Sequence, residues 1–512
     1  MSRLTRIIPV LLVLLAFAAP RASAQQGPLR GLDDYITKAM ADWEVPGLGL
    51  AIVHGDSVVY ATGYGVRRLG GTEPVDANTL FAIGSASKAF TAMTLALLID
   101  EEKASWNDRA QKHLPWFQVF DPYVTREMTL RDLLSHRSGL TRGDRLWYAT
   151  DYDREEIVRR VRHLEPTWSF RSNFGYQNIM YLAAGEVAEE ITGRSWDDLV
   201  KERIFTPLGM RQSLTSVDPL PTLSNVATPH SRIDEKVTPI AWRDIDNVAP
   251  AGSINSNAVE MAQWVRLHLG DGEYAGQRIV SERNLREMHS PHTIIPIDTA
   301  GERLYPETHF RSYGLGWFLE DYRGRKLVHH GGNIDGMSAL VAMMPEDGVG
   351  LVILTNMNGS GLPGVLMRRI FDLYLGGAGR DWSTEVLAFT KERMQQAEER
   401  QRKAEAARVA GTKPSLPLER YAGTYENEMY GTVTLAHDDG RLTVNAGSAF
   451  VGDLEHWHYD TFRANWRDRQ LGRTMLTFAL NARGEPQTLD VEGLGEFTRA
   501  ARPAAAAAGG NR

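Results

Sequence analysis

Ser85-Ala86-Ser87-Lys88 places a hydroxyl and an amine three residues apart, at the head of the apolar run 89–99. Gly84 before the tetrad and the apolar run after it predict a buried helix beginning at Ser85. Positions i and i+3 share one face of a helix, so the Lys88 amine can lie beside the Ser85 hydroxyl. Serine is a weak nucleophile at its ordinary pKa and needs an adjacent base. Lys88 can be that base only as a neutral amine. That requires a pKa about three units, or ~4 kcal/mol, below that of free lysine. Burial and the positive end of a helix both push it down. The tetrad alone decides nothing, because S-x-x-K arises about once by chance in a chain this long.

Partners for Ser85 stand further along. Tyr176-Gln177-Asn178 precedes the apolar stretch 180–188. Tyr176 offers a phenol or phenolate as a second proton-transfer group, and the Asn178 amide can hold Lys88 or a substrate carbonyl. His329-His330-Gly331-Gly332 closes a strand-like run. The glycines let backbone approach a ligand closely. An N–H near Asn333, with that of Ser85, would make an oxyanion hole, each donor worth about 10² to 10³ in rate. Adjacent histidines on a strand point to opposite faces, so they do not readily chelate one ion, and no metal or cofactor is expected. His456-Trp457-His458-Tyr459-Asp460 has the alternation of a metal site, but without further ligands nearby it reads as a polar strand face. Gly336-Met337-Ser338-Ala339-Leu340 lacks the last glycine of a G-x-S-x-G elbow.

The elements that must carry these groups are read from periodicity. A helix is expected over 32–43, and strands over 47–53 and 57–63 around a turn at 54–56. The middle is helical, over 130–134, 155–162, 180–192, 196–205 and 259–269. Strands return over 313–319, 326–329, 338–344 and 349–355, the last two flanking the turn Pro345-Glu346-Asp347-Gly348, and a helix closes at 365–375. Strands from both ends must then meet in one sheet. The expected fold is α/β: an antiparallel sheet flanked by helices with an all-helical subdomain, plus a small C-terminal antiparallel β-barrel. This divides the chain into a hydrolase-type domain over 25–382, a charged helix and linker over 383–417, the β-domain over 418–500 and a disordered tail over 501–512.

Composition narrows the chemistry. The 512 residues contain no cysteine, which excludes disulfides, thiolate catalysis and cysteine-bound zinc. The formal charge of −7 comes with no basic patch, which argues against nucleic acid as a partner. Arg3 and Arg6 precede the apolar core 7–19, and Ala22-Ser23-Ala24 gives a cleavage site before Gln25. Residues 1–24 therefore read as a signal peptide, with an exported, periplasmic or secreted product and no stable membrane anchor.

Ser-x-x-Lys, Tyr-x-Asn and His-x-Gly, in this order, resemble the serine β-lactamase and penicillin-binding-protein superfamily, and most closely its class C β-lactamase-like hydrolases. Leu133-Leu134-Ser135-His136-Arg137-Ser138-Gly139-Leu140, Pro207-Leu208-Gly209-Met210, Pro250-Ala251-Gly252 and Tyr313-Gly314-Leu315-Gly316-Trp317 carry the same likeness. It covers about residues 32–377. The resemblance implies Ser85 as the acylated nucleophile, Lys88 as its base, Tyr176 as the proton-transfer partner and Asn178 as an orienting amide. His330, Gly331 and Gly332 would replace the family's K-T-G, with Asn333 giving the second oxyanion N–H. The register His329-His330-Gly331 also fits H-x-G, but His330 brings Val328, Gly336 and Ser338 into place. A histidine there lacks the fixed cation that can hold a β-lactam carboxylate. The likeness therefore points to an esterase or D-amino-acid peptidase with at most weak β-lactamase activity. Tyr421-Ala422-Gly423-Thr424-Tyr425 and the 454–462 stretch resemble the lipocalin-like barrel appended to some of these hydrolases. The expected partner is a small-molecule or peptide substrate, and assembly as a homo-oligomer is left open. The alternative is a penicillin-recognising or peptidoglycan-sensing binding protein that does not turn over.

Overall fold

A computed structural model of the chain describes residues 27–377 and 379–501. The expected signal peptide, and the expected tail beyond residue 501, lie outside the described residues. The framework is one sheet built from the following strands: β1 (Gly47–His54), β2 (Ser57–Gly65), β3 (Thr293–Ile294), β4 (Arg311–Tyr313), β5 (Phe318–Tyr322), β6 (Arg325–Ile334), β7 (Met337–Met344) and β8 (Val349–Thr355). Their order is β2-β1-β8-β7-β6-β5-β4-β3, with every neighbour antiparallel. The two ends of the domain thus meet where β1 pairs β8, Leu50 opposite Ile353.

β7 and β8 are apolar without alternation because both of their faces are covered. One face carries Leu48, Leu50, Ile52, Leu340, Leu351 and Ile353 against helices α1 (Leu32–Asp42) and α5 (Leu362–Tyr374). The other carries Ala51, Val53, Val341, Val352 and Leu354 against α2 (Lys88–Asp100) and α4 (Ala258–Leu269). The helical subdomain, with α3 (Asn178–Thr192) at its centre, packs on α2. α2 is buried from Lys88 to Leu98 and mostly apolar there, the Thr91 and Thr94 hydroxyls being spent on Pro250 O and Phe90 O.

Two sequence expectations change. The helix expected to start at Ser85 begins with a 3₁₀ turn, Gly84–Ser87, and becomes α-helical only at Lys88. Residues 313–319, expected as one strand, are two strands broken at Gly314–Trp317. Gly316 takes φ +82°, and a Cβ there would stand 2.8 Å from the Ala89 Cα, so the break lets the sheet close onto the head of α2.

A helix of 25 residues, α6 (Trp382–Ala406), leads to the C-terminal unit. Eight antiparallel strands between Gly423 and Arg499 form a closed barrel, the first pairing the last through Tyr425 and Arg499. Alternate residues point inward, including Val433, Leu435, Phe462, Ala464 and Phe497. The expected one-sided H-x-H-x-D face does not form: the strand ends at His458 after an irregularity, and Asp460 turns to accept from the Ser415 N–H and hydroxyl. No described helix is long and apolar enough to cross a membrane.

Candidate active site

The turn before α2 sets the nucleophile. Gly84 has φ +51°, and the Ser87 hydroxyl donates to Gly84 O at 2.7 Å while accepting from Ile254 N at 3.1 Å. These ties leave Ser85 partly exposed and Lys88 fully buried one turn on. Lys88 Nζ lies 3.1 Å from Ser85 Oγ, 2.7 Å from Asn178 Oδ1 and 2.8 Å from Ala251 O. Burial drives the Lys88 pKa well below its ordinary value. Asp144 opposes the shift and Arg142 adds to it. A neutral amine has two N–H groups and one lone pair. Asn178 Oδ1 and Ala251 O only accept, so they take both N–H groups and leave the lone pair to Ser85 Oγ–H.

Asn178 is fixed in turn. Its Nδ2 donates to Asp144 Oδ1 at 2.9 Å, which also accepts from Trp147 Nε1 at 2.9 Å. Tyr176 precedes α3 and is held by its main chain and ring. Arg142 N donates to Tyr176 O at 3.0 Å, and Gly175 N donates to His136 O at 2.8 Å. The His136 ring lies 4.2 Å from the Tyr176 ring, and its Nδ1 accepts from Gln177 N at 3.1 Å. Burial raises the Tyr176 pKa well above that of a free phenol, partly offset by the hydrogen bond with Ser85, so the resting group is a phenol. Lys88 Nζ stands 4.8 Å from the Tyr176 ring centroid.

β6 supplies the opposite wall. Its partner β5 pairs only as far as Phe318 opposite His329. From His330 to Ile334 the strand runs on past β5 and meets the Ser85 turn. A Cβ on Gly84 would lie 2.8 Å from Asn333 N, and one on Gly332 would lie 3.1 Å from Ser85 N and overlap Ile83 O. Asn333 N and Ser85 N are therefore brought side by side by two glycines that no larger residue could replace. The Asn333 side chain points away and accepts from Ser338 Oγ at 2.7 Å and Gly359 N at 3.0 Å.

His330, not His329, faces this pocket. Its Nδ1 lies 2.6 Å from Gly331 O, which can only accept, so Nδ1 carries the proton. Nε2 therefore accepts from the Tyr313 hydroxyl at 2.9 Å. Burial, then Lys88, pushes the His330 pKa down to about 3. His330 is thus neutral and saturated. His329 lies near Glu320 at 3.8 Å, on the other side of the strand.

The pocket holds ≈ 460 Å³ and brings together Ser85, Tyr176, Asn178, His330, Gly331, Gly332 and Asn333. It also contains residues that spacing alone does not single out: Arg142, Asp144, Tyr148 and Asp335. The first three belong to the 141–153 loop, a place for specificity whose shape no sequence periodicity gives. Asp335 accepts from Arg243 Nε at 2.8 Å and from the Tyr148 hydroxyl at 2.7 and 2.9 Å. Arg243 Nη2 donates to Asp468 of the barrel at 2.9 Å, and Tyr148 packs against the barrel core, so both tie the barrel to the pocket wall.

Comparison with known proteins matches this geometry to a family. A model described as "Beta-lactamase" matches residues 32–373, and a "Domain of unknown function (DUF3471)" matches residues 407–505. The chain is 27% identical to "Unguisins hydrolase ungD'" of Aspergillus campestris, over 80% of this chain and 78% of the relative. It is 29% identical to "Penicillin-binding protein 4" of Amycolatopsis lactamdurans, over 61% and 81%. Among solved structures, the octameric penicillin-binding protein homologue from Pyrococcus abyssi superposes with a TM-score of 0.62 at 21% identity, covering 91% of this chain and 99% of that one. A D-stereospecific amidohydrolase from Streptomyces sp. gives 0.54 at 22% identity, covering 66% and 97%. With more than half of its length matched by the family model, the chain belongs to the beta-lactamase family.

Proposed function

We propose that this protein is a serine hydrolase that forms an acyl-enzyme on Ser85 and cleaves an ester or amide. One observation carries the reading: a fully buried Lys88, its pKa driven down by burial, whose Nζ lies 2.7 Å from Asn178 Oδ1, 2.8 Å from Ala251 O and 3.1 Å from Ser85 Oγ. In the forward step Ser85 Oγ attacks the substrate carbonyl and its proton passes to Lys88. The carbonyl oxygen, now an anion, is met by the N–H groups of Ser85 and Asn333. The Tyr176 phenol gives a proton to the leaving alcohol or amine and recovers one through Lys88. Water then attacks the acyl-enzyme, losing a proton to the Tyr176–Lys88 pair, and the pair returns it to Ser85 Oγ as the Oγ–acyl bond breaks and the acid leaves.

The substrate reading is an ester or D-amino-acid amide, with weak turnover of β-lactams. Its support is the saturated, neutral His330, which leaves the third motif without a cation for a β-lactam carboxylate. The relatives' names, a hydrolase and a penicillin-binding protein, agree with the chemical class. Export belongs to the same reading and rests on the N-terminal pattern around Ala22-Ser23-Ala24.

The test is turnover by purified residues 25–512 of p-nitrophenyl esters, D-amino-acid amides and a chromogenic cephalosporin, beside Ser85→Ala. Ester or amide turnover that Ser85→Ala abolishes is expected, with cephalosporin slow. Rapid cephalosporin turnover would contradict the substrate reading. A stoichiometric label that persists without turnover would favour the binding-protein alternative.

A further inference from the structure

One cation lines the catalytic pocket among the described residues, and it is Arg142. The other charges there are committed. Asp335 is saturated by Arg243 and Tyr148, and Arg243 is shared with Asp468. Asp144 Oδ1 already accepts from Asn178 and Trp147. Lys88 is enclosed and bound to Asn178 and Ala251, and His330 has both ring nitrogens occupied. Arg142 differs. Its guanidinium has five N–H donors. Among the described residues its one polar side-chain partner is Asp144 Oδ2, at a long 3.4 Å. Its side chain is 65% exposed, yet its main chain is anchored: φ is +46°, and its N–H is bound to Tyr176 O. A non-glycine residue in that left-handed region is uncommon and here is held by the catalytic tyrosine's own backbone. The guanidinium lies over the Tyr176 ring, 5.0 Å from its centroid, and Arg142 lines the same pocket as Ser85.

We infer that Arg142 is the specificity residue of this pocket and binds a free carboxylate carried by the substrate. The inference rests on the pocket being the substrate site of the hydrolase proposed above. A guanidinium presents paired N–H groups that match a carboxylate, and such charge-assisted pairs are about twice as strong as neutral hydrogen bonds. Arg142 stands on a loop across the pocket from the third motif, so it does not occupy the place of the cation absent there. The substrate class narrows to acyl donors bearing one carboxylate within a few bonds of the scissile carbonyl.

Binding to the acylation-incompetent Ser85→Ala protein tests this without relying on turnover. Two matched pairs cover both sides of the scissile bond: mono-p-nitrophenyl glutarate with p-nitrophenyl butyrate, and N-acetyl-D-alanyl-D-alanine with its C-terminal amide. In Ser85→Ala the carboxylate member of at least one pair should bind about tenfold tighter or more. In Ser85→Ala/Arg142→Gln the preference should collapse to about twofold or less, and Arg142→Lys in the same background should restore part of it. A purely structural role would not move this ratio. Absence of preference in both pairs, or a preference that survives Arg142→Gln, overturns the inference. Ser85-dependent turnover of p-nitrophenyl butyrate by the wild-type protein is read separately. Its absence would fail the hydrolase reading, while the binding ratio still judges Arg142.

Discussion

Around the Lys88 nitrogen stand two acceptors and one hydroxyl, and burial drives its pKa down, the direction a base at this position needs. Activity should therefore fall as pH drops through the depressed Lys88 pKa, because protonation fills the lone pair. Asp144 favours the charged ammonium, so Asp144→Asn lowers that pKa further. The acid limb of the kcat/KM profile should move to lower pH, with a loss of about tenfold from a looser Asn178. A limb that moves upward would contradict this account. Lys88→Ala and Tyr176→Phe should each cost about 10² to 10⁴ in kcat. Ser85, Lys88, Tyr176 and Asn178 are legible in sequence because short spacing on a helix, or just before one, fixes their relation. Arg142, Asp144 and Tyr148 are not, because an irregular loop carries them, and Asp335, in the tight turn between β6 and β7, is aimed into the pocket only by tertiary packing.

Between elements, the decisive fact is that β6 outruns β5. The free stretch from His330 to Ile334 can then lie against the Ser85 turn, and Gly332 makes the approach possible. Gly332→Ala should cut kcat/KM by about 10² or more, the value of one lost oxyanion donor, and lower the melting temperature. Near-normal kinetics would show that Asn333 N is not a donor. β7 and β8 are plain in sequence as unbroken apolar runs around Pro345–Gly348. The break at Gly314–Trp317 is hidden because both halves have strand character, and the constraint comes from Ala89, more than two hundred residues away. The 3₁₀ start of α2 is equally invisible, since the Ser87 bonds that create it reach Ile254.

At the scale of the molecule, the chain Tyr148–Asp335–Arg243–Asp468 is one of several contacts between the barrel and the catalytic unit, beside Arg160 on Glu428 O and Met429 O and Tyr152 on Tyr430 O. Arg243→Gln would leave two carboxylates without their shared cation. A loss of about 2–4 kcal/mol is expected by denaturant titration, with a several-fold fall in kcat/KM because Asp335 lines the pocket. Unchanged values in both would separate the barrel from the site. The existence of a barrel is legible from alternation after residue 418, but this contact is not, because ion pairs between units leave no periodic trace. Elsewhere, burial and then Glu189 push half-buried Glu186 up to about 7. A carboxyl raised in the folded state stabilises it below its ordinary pKa, and that contribution is lost as pH rises to about 7. Glu186→Gln should accordingly be more stable than wild type by ~2 kcal/mol at pH 8 and nearly equal to it at pH 4.5, measured by thermal or denaturant unfolding. A gain that is the same at both pH values would remove the charge argument.

The proposed hydrolysis turns on a covalent bond to one oxygen. Intact-protein mass spectrometry after rapid mixing with a p-nitrophenyl ester, followed by peptide mapping, reads that bond directly. The account predicts one acyl group per chain, on the peptide containing Ser85, accumulating in Tyr176→Phe and absent from Ser85→Ala. An adduct on another residue, or one that persists in Ser85→Ala, would contradict it.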